Sequence, residues 1–244
     1  MTIVHETVKV NGIRLHVARS GEGPLMLFLH GFPEYWEMWK PMLEHFGARG
    51  WCAVAPDMRG YNLSEKPAEV AAYSPRHLGA DVLALAEHYT KDKFVLVAHD
   101  WGGAVAWAVA IAKPQRLSRL VMLNSPHPYL FWRELRDSPA QQKASAYMNL
   151  FRDPKAERVL SENGYARLLG WFADADEAWR KSLLVAWSQP GALTGGLNYY
   201  RASMLYPPTP DDPGPGKLQW KPGDFMVRVP TLVLSAVDDP LAPA

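Results

Sequence analysis

The chain has 244 residues, 48% of them hydrophobic, and a net charge of +1, so it can bury one sizeable core with a smaller subdomain. The balanced charge, with no basic run, argues against nucleic acid or an anionic membrane as a partner. Its single cysteine, Cys52, excludes an internal disulfide, and no stretch is suited to a membrane span or a secretory signal, so we expect a cytoplasmic protein.

The predicted elements begin with an antiparallel hairpin, because two alternating segments meet at Asn11-Gly12, a pair typical of two-residue turns. Five short apolar runs follow, and helical patterns separate the first four. This alternation is typical of a mostly parallel, doubly wound α/β sheet. The runs are PLMLFLH, WCAVAPD, FVLVAHD, RLVMLN and PTLVLSA.

The regular alternation ends after Asn124, where helical patterns begin and run to the turn-rich stretch PPTPDDPGPG. We therefore predict a first core segment over residues 1–125, an inserted helical cap over 126–216 and a return to the core over 217–244. Four of the apolar runs end in a polar residue. Because function on such sheets lies at the carboxyl ends of the strands, we expect a site between sheet and cap. The polar residues are His30, Asp57, Asp100 and Asn124.

The third run ends in Asp100, within the sequence AHDWGG. Ala98 and Gly102 flank this aspartate at two-residue spacing, which is the pattern of a nucleophile elbow with aspartate in the place usually given to serine. Small flanking residues suit such a strained turn, where backbone segments come close together. An ordinary helix N-cap explains an aspartate at this position equally well.

The first run leads into HGFPEYW, residues 30–36. This loop could present the backbone N–H of Phe32 toward the neighbouring strand, where it would form an oxyanion hole with the N–H of Trp101. By itself the loop is also compatible with a tight turn shaped by Gly31 and Pro33.

These motifs, together with APDMRGYNLSEKP at residues 55–67, resemble those of the epoxide hydrolases of the α/β-hydrolase superfamily. The similarity continues through AYMNLFRDP around Tyr147 and LNYYRA around Tyr200. It implies an α/β-hydrolase fold with an inserted cap, an aspartate nucleophile, two cap tyrosines, and a histidine with an acidic partner that together activate water. It implies no metal or organic cofactor.

On this resemblance Asp100 would attack an epoxide carbon and form an alkyl ester, since a carboxylate is already ionised at neutral pH. Tyr147 and Tyr200 would protonate the departing oxygen, and Tyr199 is the natural misassignment. Pro33 and Trp101 would contact the substrate, for which we expect a small apolar epoxide.

Water would then attack the ester, and the Phe32 and Trp101 amides would stabilise the oxyanion. The acidic partner should follow the last run, where Asp239 matches the family position better than Asp238. An Asp-Pro turn is the alternative explanation of that pair.

The resemblance places the catalytic histidine beyond one further strand, but no histidine of this sequence follows His127. We therefore assign no general base. His99 is expected to point away from the pocket, and His127 to be solvated or bonded to backbone. We also expect a C-terminal strand and helix of the fold to be missing, which would leave an exposed apolar edge for a further segment or a homodimer partner.

Two alternatives to an epoxide hydrolase remain. A haloalkane or haloacetate dehalogenase shares the aspartate nucleophile, and the Trp101 indole could hold a departing halide. A halide needs no proton, so the paired tyrosines favour an epoxide, and haloacetate enzymes carry arginine where Trp101 stands. A catalytically incomplete α/β-hydrolase that binds a ligand without turnover is the alternative of another class.

Overall fold

One mixed sheet forms the scaffold of the protein. The computed structural model describes residues 2–237 and Asp239. The strands are β1 Val4–Val10, β2 Ile13–Ser20, β3 Leu25–Leu29, β4 Cys52–Pro56, β5 Phe94–His99, β6 Leu117–Leu123 and β7 Thr231–Leu234. Their order is β1-β2-β4-β3-β5-β6-β7. The pairs β1–β2 and β2–β4 are antiparallel and the other neighbouring pairs are parallel, so the predicted mostly parallel sheet is confirmed.

The predicted hairpin is also present, because Val10 pairs with Ile13 across the two turn residues. Helices connect the later strands and fill the segment between β6 and β7. They are α1 Lys40–Gly47, α2 Pro75–Tyr89, α3 Asp100–Ala112, α4 Pro128–Asp137, α5 Pro139–Ala144, α6 Tyr147–Arg152, α7 Ala156–Leu169, α8 Glu177–Trp187 and α9 Ala192–Ala202. Helix α7 is interrupted, since residues 162–165 leave the helical conformation.

Both faces of the sheet are buried at its central strands β3, β4 and β5, as the continuous apolar runs predict. Leu27 of β3 belongs to the larger apolar cluster, which includes side chains of α2 and α3, whereas the next residue, Phe28, packs with Leu43 of α1 in a second cluster. Successive strand residues point to opposite faces, so the alternation assigns them to different clusters. Each such buried side chain stabilises the fold by about 1.5–3 kcal/mol.

The connections change direction between β3 and β5. The chain passes from β3 to β4 on one side of β3, and then returns through α2 to β5 on the other side. The loops that follow β3 and β5 therefore diverge from neighbouring strand ends. Sheets of this kind bind ligands in the crevice at such a switch point.

The helices α4 to α9 cover this crevice, and they lie within the segment 126–216 that was predicted to form the cap. The Tyr199 hydroxyl of α9 donates to the Arg59 carbonyl at 2.8 Å, and the Trp187 indole of α8 donates to the Pro33 carbonyl at 2.6 Å. These two bonds connect the cap to the loops after β4 and β3. They hold the helical segment over the carboxyl ends of the strands.

Strand β7 forms one edge of the sheet within the described residues. Leu232, Val233 and Leu234 are 53%, 51% and 48% exposed, which matches the apolar edge expected from the sequence. The expectation that a further strand and helix are missing concerns chain outside the described residues, as do Asp238 and the proline of the Asp-Pro turn. Among the helices of residues 2–237, none is long and apolar enough to cross a membrane.

Candidate active site

Asp100 occupies a sharp turn between β5 and α3. It is the first residue of the helix and has a φ of +49°, in the left-handed region that costs a non-glycine residue about 1–3 kcal/mol. A Cβ at Gly102 would lie 2.5 Å from the carbonyl oxygens of Leu29 and His30, so only glycine fits there. The N-cap of α3 is His99, not Asp100. The turn therefore has the geometry of an elbow, and the N-cap explanation of Asp100 is wrong.

The loop after β3 contacts this elbow directly. A Cβ at Gly31 would lie 2.2 Å from Asp100 Oδ1, so the glycine leaves room for the carboxylate. The backbone N–H of Phe32 donates to Asp100 Oδ1 at 2.7 Å, and the N–H of Trp101 is close enough to the same carboxylate to lower its pKa. The two backbone N–H groups named from the sequence thus meet at one side chain.

His30 fixes the start of that loop. The Met58 N–H donates to His30 Nε2 at 2.9 Å, and the other ring nitrogen, Nδ1, lies 2.9 Å from the Gly31 carbonyl. The first bond requires an unprotonated Nε2, and burial lowers the pKa of this histidine. His30 is therefore a neutral residue that holds the start of this loop in place.

The environment of Asp100 acts on its charge in two directions. Burial raises the pKa of the carboxyl group, whereas the neighbouring His99 and the N–H groups of Phe32 and Trp101 lower it. The net direction is upward. A carboxylate that has lost its hydration can act as a nucleophile. The nearby backbone N–H groups still stabilise part of its negative charge.

Tyr147 and Tyr200 come together from different cap helices. Tyr147 begins α6 and Tyr200 lies in the last turn of α9, yet their ring centroids are 6.1 Å apart, at an interplanar angle of 79°. The Tyr200 ring also meets the Trp101 ring, with centroids 4.9 Å apart at an interplanar angle of 87°. Burial raises the pKa of both tyrosine hydroxyls, so they stay protonated and able to donate at neutral pH.

Tyr199 points the other way. Its hydroxyl donates to the Arg59 carbonyl, and its ring packs against Tyr61 and Tyr73 in the core. Helical geometry separates consecutive residues by about 100°, so only one of two adjacent tyrosines can face the crevice. In this structure that residue is Tyr200.

A cavity of about 280 Å³ lies between the sheet and the cap. Apolar side chains form much of the cavity wall, including Phe131, Met148, Trp171 and Leu205. Such a lining suits an apolar ligand held by a few polar groups. The cavity brings together six of the residues named from the sequence: Phe32, Asp100, Trp101, Tyr147, Tyr200 and Asp239.

Pro33 is not in that group. Among the described residues it lines a separate, much smaller cleft, and its carbonyl accepts the Trp187 indole N–H. Because this bond turns Pro33 toward helix α8, Phe32 and not Pro33 reaches the large cavity. The sequence predicted that Pro33 would contact the substrate, but the structure places it outside the large cavity.

His99 also differs from its expectation, since it lines the cavity. The expectation extended strand alternation across the elbow, but the left-handed Asp100 interrupts that alternation. His99 Nδ1 lies 3.3 Å from Glu34 Oε2. Burial acts to lower the pKa of His99, but the interaction with Glu34 and the charges of Asp100 and Asp239 outweigh it and raise the pKa. His127 instead bonds the Phe225 carbonyl at 2.9 Å.

Asn124 and Ser125, which follow β6, make hydrogen bonds that the sequence did not predict. The Asn124 side-chain oxygen accepts the Ala236 N–H at 2.9 Å, which ties down the segment leading to Asp239. Ser125 Oγ donates to the Asp100 carbonyl at 3.0 Å. Both residues also line the cavity. The polar residue at the end of the fourth apolar run indicated this position. The sequence did not show which groups the Asn124 and Ser125 side chains would bond.

Residues 24–244 match the sequence profile of a family described as "alpha/beta hydrolase fold". The chain is 41% identical to the AB hydrolase superfamily protein YfhM of Bacillus subtilis over 207 residues, covering 80% of this chain and 71% of that protein. It is 35% identical to Epoxide hydrolase 2 of Caenorhabditis elegans over 219 residues, covering 84% of this chain but only 61% of that protein. The match thus spans less than two thirds of the nematode protein.

Solved structures of epoxide hydrolases are also similar to this chain. One of a novel epoxide hydrolase from metagenomes of hot environments is 39% identical, with a TM-score of 0.83 over 100% of this chain and 85% of that chain. The Bacillus megaterium epoxide hydrolase in complex with an inhibitor is 29% identical, with a TM-score of 0.84 over 97% of this chain and 84% of that chain.

Proposed function

The chain belongs to the α/β-hydrolase fold family, and on that basis we propose that it is an epoxide hydrolase. In this proposal it converts an apolar epoxide to a vicinal diol through a covalent ester on Asp100. The observation that carries the proposal is the pairing of Tyr147 with Tyr200 in the wall of the same cavity that holds Asp100. Relatives named epoxide hydrolases support it.

In the first step an Asp100 oxygen forms a bond to an epoxide carbon, and the bond from that carbon to the ring oxygen breaks. Negative charge then develops on the ring oxygen. Tyr147 and Tyr200 are protonated donors in an apolar wall, where hydrogen bonds to a developing charge are stronger than in water. One hydroxyl transfers its proton to the oxygen, and the tyrosinate regains a proton from water.

In the second step water attacks the carbonyl carbon of the ester. The ester bond to the acyl carbon breaks, Asp100 is restored and the diol leaves. The N–H of Phe32 already donates to the Asp100 carboxylate and the N–H of Trp101 lies beside it, which supports both as donors to the oxyanion. Asp239, at the wall of the cavity, is proposed as the acidic partner of the general base that accepts a proton from the attacking water, a base to which no residue of this sequence is assigned.

Oxygen labelling tests this route. The protein is incubated with styrene oxide in water enriched in ¹⁸O, and both the diol and the peptide containing Asp100 are analysed by mass spectrometry. Ester hydrolysis puts the water oxygen into Asp100 and leaves an old Asp100 oxygen in the first diol formed. An ester that accumulates instead adds the mass of one epoxide to that peptide. Label in the first diol, with neither change at Asp100, would mean direct attack by water and would refute the ester route.

Asp100→Asn is the control for that experiment, because it removes the nucleophile while keeping the size of the side chain. It should give neither adduct nor labelled peptide. Styrene oxide that is bound by the unmodified chain but never consumed, with no adduct, would favour the ligand-binding alternative over an enzyme.

The dehalogenase alternative requires the Trp101 indole to be available to a halide. In this structure the Tyr200 ring packs against the Trp101 ring, with centroids 4.9 Å apart. A tyrosine that stays protonated beside the indole can supply the proton that an epoxide oxygen needs and a halide does not, which favours an epoxide. Bromide release from a 1-bromoalkane, at a rate matching epoxide consumption, would reverse this preference.

A further inference from the structure

Helix α9 ends beside a half-buried arginine of another helix. Nη1 of Arg152 donates to the carbonyl oxygen of Tyr200 at 2.5 Å, to that of Ser203 at 3.0 Å and to that of Arg201 at 3.4 Å. The last carbonyl groups of a helix have no partner within the helix. A cation at this end both satisfies them and complements the helix dipole.

The same side chain connects the two helices that carry the tyrosines. Tyr147 is the first residue of α6 and Arg152 is its last, while Tyr200 lies in the last turn of α9. Phe151 fills the space between them, with ring centroids 5.3 Å from Tyr147 and 5.0 Å from Tyr200. Arg152 thus joins the last residue of α6 to the backbone carbonyl of Tyr200, one of the two tyrosines whose rings meet.

Arg152 is itself held on its far side. Its guanidinium carbon lies 3.7 Å from the centroid of the Tyr206 ring. A guanidinium stays charged in proteins and is planar, so it can stack on a ring and donate at its edge together. The segment after α9 therefore returns to cover Arg152, and the side chain has little freedom to move away from α9.

A second arginine braces the same helix end but contacts neither tyrosine. Arg201 donates to both carboxylate oxygens of Glu157 at 2.6 and 2.7 Å, and to the Asp153 carbonyl at 3.2 Å. Its bonds run from α9 to Glu157 of α7 and to Asp153, the residue that follows α6. The bonds of Arg152 instead run from α6 itself to the last carbonyl groups of α9 and the residue after it.

We propose that Arg152 is a positioning residue, which holds the Tyr147 and Tyr200 hydroxyls at the spacing that a single epoxide oxygen requires. This inference rests on the proposed function. Two donors reach one oxygen only if each lies about 2.5–3.0 Å from it. A displacement of about 1 Å at either helix end can cost about 100-fold in rate.

Three variants test the proposal. Arg152→Met keeps the length of the side chain but removes the donors and the charge, and Arg152→Lys keeps a charge and a donor. Arg158→Met is the matched control, since Arg158 is an exposed arginine of the cap that pairs with Glu162 alone among the contacts described. Rapid-quench kinetics with styrene oxide separate ester formation from ester hydrolysis.

We expect Arg152→Met to slow ester formation by about 10- to 100-fold while ester hydrolysis changes by less than about threefold, and Arg152→Lys to recover part of the loss. Arg158→Met should match the unmodified protein. A merely structural role would lower the melting temperature without separating the two steps. Equal changes in both steps, or no recovery with lysine, would overturn the proposal. If the methionine variant does not fold, the lysine variant must still slow ester formation more than ester hydrolysis, by a smaller factor.

A readout that needs no turnover separates this proposal from the proposed function. 3-Fluorotyrosine placed at positions 147 and 200 reports the surroundings of each ring by ¹⁹F NMR. Arg152→Met should shift both resonances and Arg158→Met neither. Shifted resonances in a protein that forms no ester would refute the epoxide hydrolase but keep the positioning role. Unshifted resonances would refute the positioning role whatever the activity.

Discussion

Ser125 Oγ donates a hydrogen bond of 3.0 Å to the backbone carbonyl of Asp100. This bond joins the residue after β6 to the left-handed turn after β5, so it supports the one backbone conformation that points the Asp100 carboxylate into the cavity. The neighbouring Trp107 indole donates to the Ser125 carbonyl at 3.2 Å and fixes the serine in turn.

Ser125→Ala should therefore destabilise the protein by about 1 kcal/mol, the usual net contribution of such a bond. Urea denaturation measures the change. Ser161→Ala is the matched control, because Ser161 is exposed and bonds only its own helix among the contacts described. Equal unfolding free energies for the two variants would show that the bond contributes nothing to the elbow.

Gly31→Ala should displace Asp100, the proposed nucleophile, since the added Cβ would lie 2.2 Å from Asp100 Oδ1 and 2.3 Å from its Cβ. We expect ester formation to fall by at least about 100-fold, because the carboxylate must move away from the Phe32 N–H. Gly170→Ala is the control, as a Cβ there meets nothing within 4 Å. Similar ester formation rates in the two variants would contradict the packing at Gly31.

Tyr147→Phe and Tyr200→Phe should each slow ester formation by about 100-fold and leave ester hydrolysis nearly unchanged, because only the epoxide oxygen needs the proton. Tyr199→Phe provides a control one residue away. It loses the bond to the Arg59 carbonyl, so it should cost about 1 kcal/mol of stability with little effect on ester formation. Rapid-quench rates decide the matter, and equal effects on both steps would count against proton donation.

Glu34→Gln should lower the pKa of His99, because the Glu34 carboxylate is the first of the groups that raise it against the effect of burial. NMR titration of the His99 ring measures this directly. In the folded protein its midpoint should lie above 6.5, the value usual for histidine, and should fall in the variant. Identical midpoints would exclude Glu34 as the cause.

The same shift has a consequence for stability. A histidine whose pKa is raised by folding adds stability that is complete below its unfolded pKa and is lost as the pH rises through its folded pKa. Glu34→Gln should therefore cost more unfolding free energy at about pH 5.5 than at about pH 9. Urea titrations at the two pH values test the difference, and an equal cost at both would contradict it.

The fold could be predicted largely because its signals are local. Alternation, continuous apolar runs and the Asn11-Gly12 turn each act over a few residues, and the strands appeared where these patterns stood. The elbow was predictable for a similar reason, since its small residues are required by backbone contacts within and beside the turn.

The remaining site features depend on contacts distant in the sequence. Arg152 and Tyr200 are 48 residues apart, and nothing in either local pattern specifies that an arginine of α6 will cap α9. Pro33 was misplaced because its orientation is set by Trp187, which lies 154 residues away. His99 was misplaced because alternation holds along a strand but not through a left-handed residue. Tertiary packing decides each of these positions.

The Phe32 N–H that contacts Asp100 comes from a loop 68 residues earlier in the chain, and the two meet only because β3 pairs with β5 at the centre of the sheet. The proposed oxyanion donors are thus tied to the centre of the sheet, whereas the tyrosines are carried by helices α6 and α9 outside it, and we expect those helices to open at a lower free energy than the sheet. In the proposed mechanism the two chemical steps therefore have different tolerance to partial unfolding. Mild denaturant should first disable ring opening, and only global unfolding should remove the machinery for ester hydrolysis.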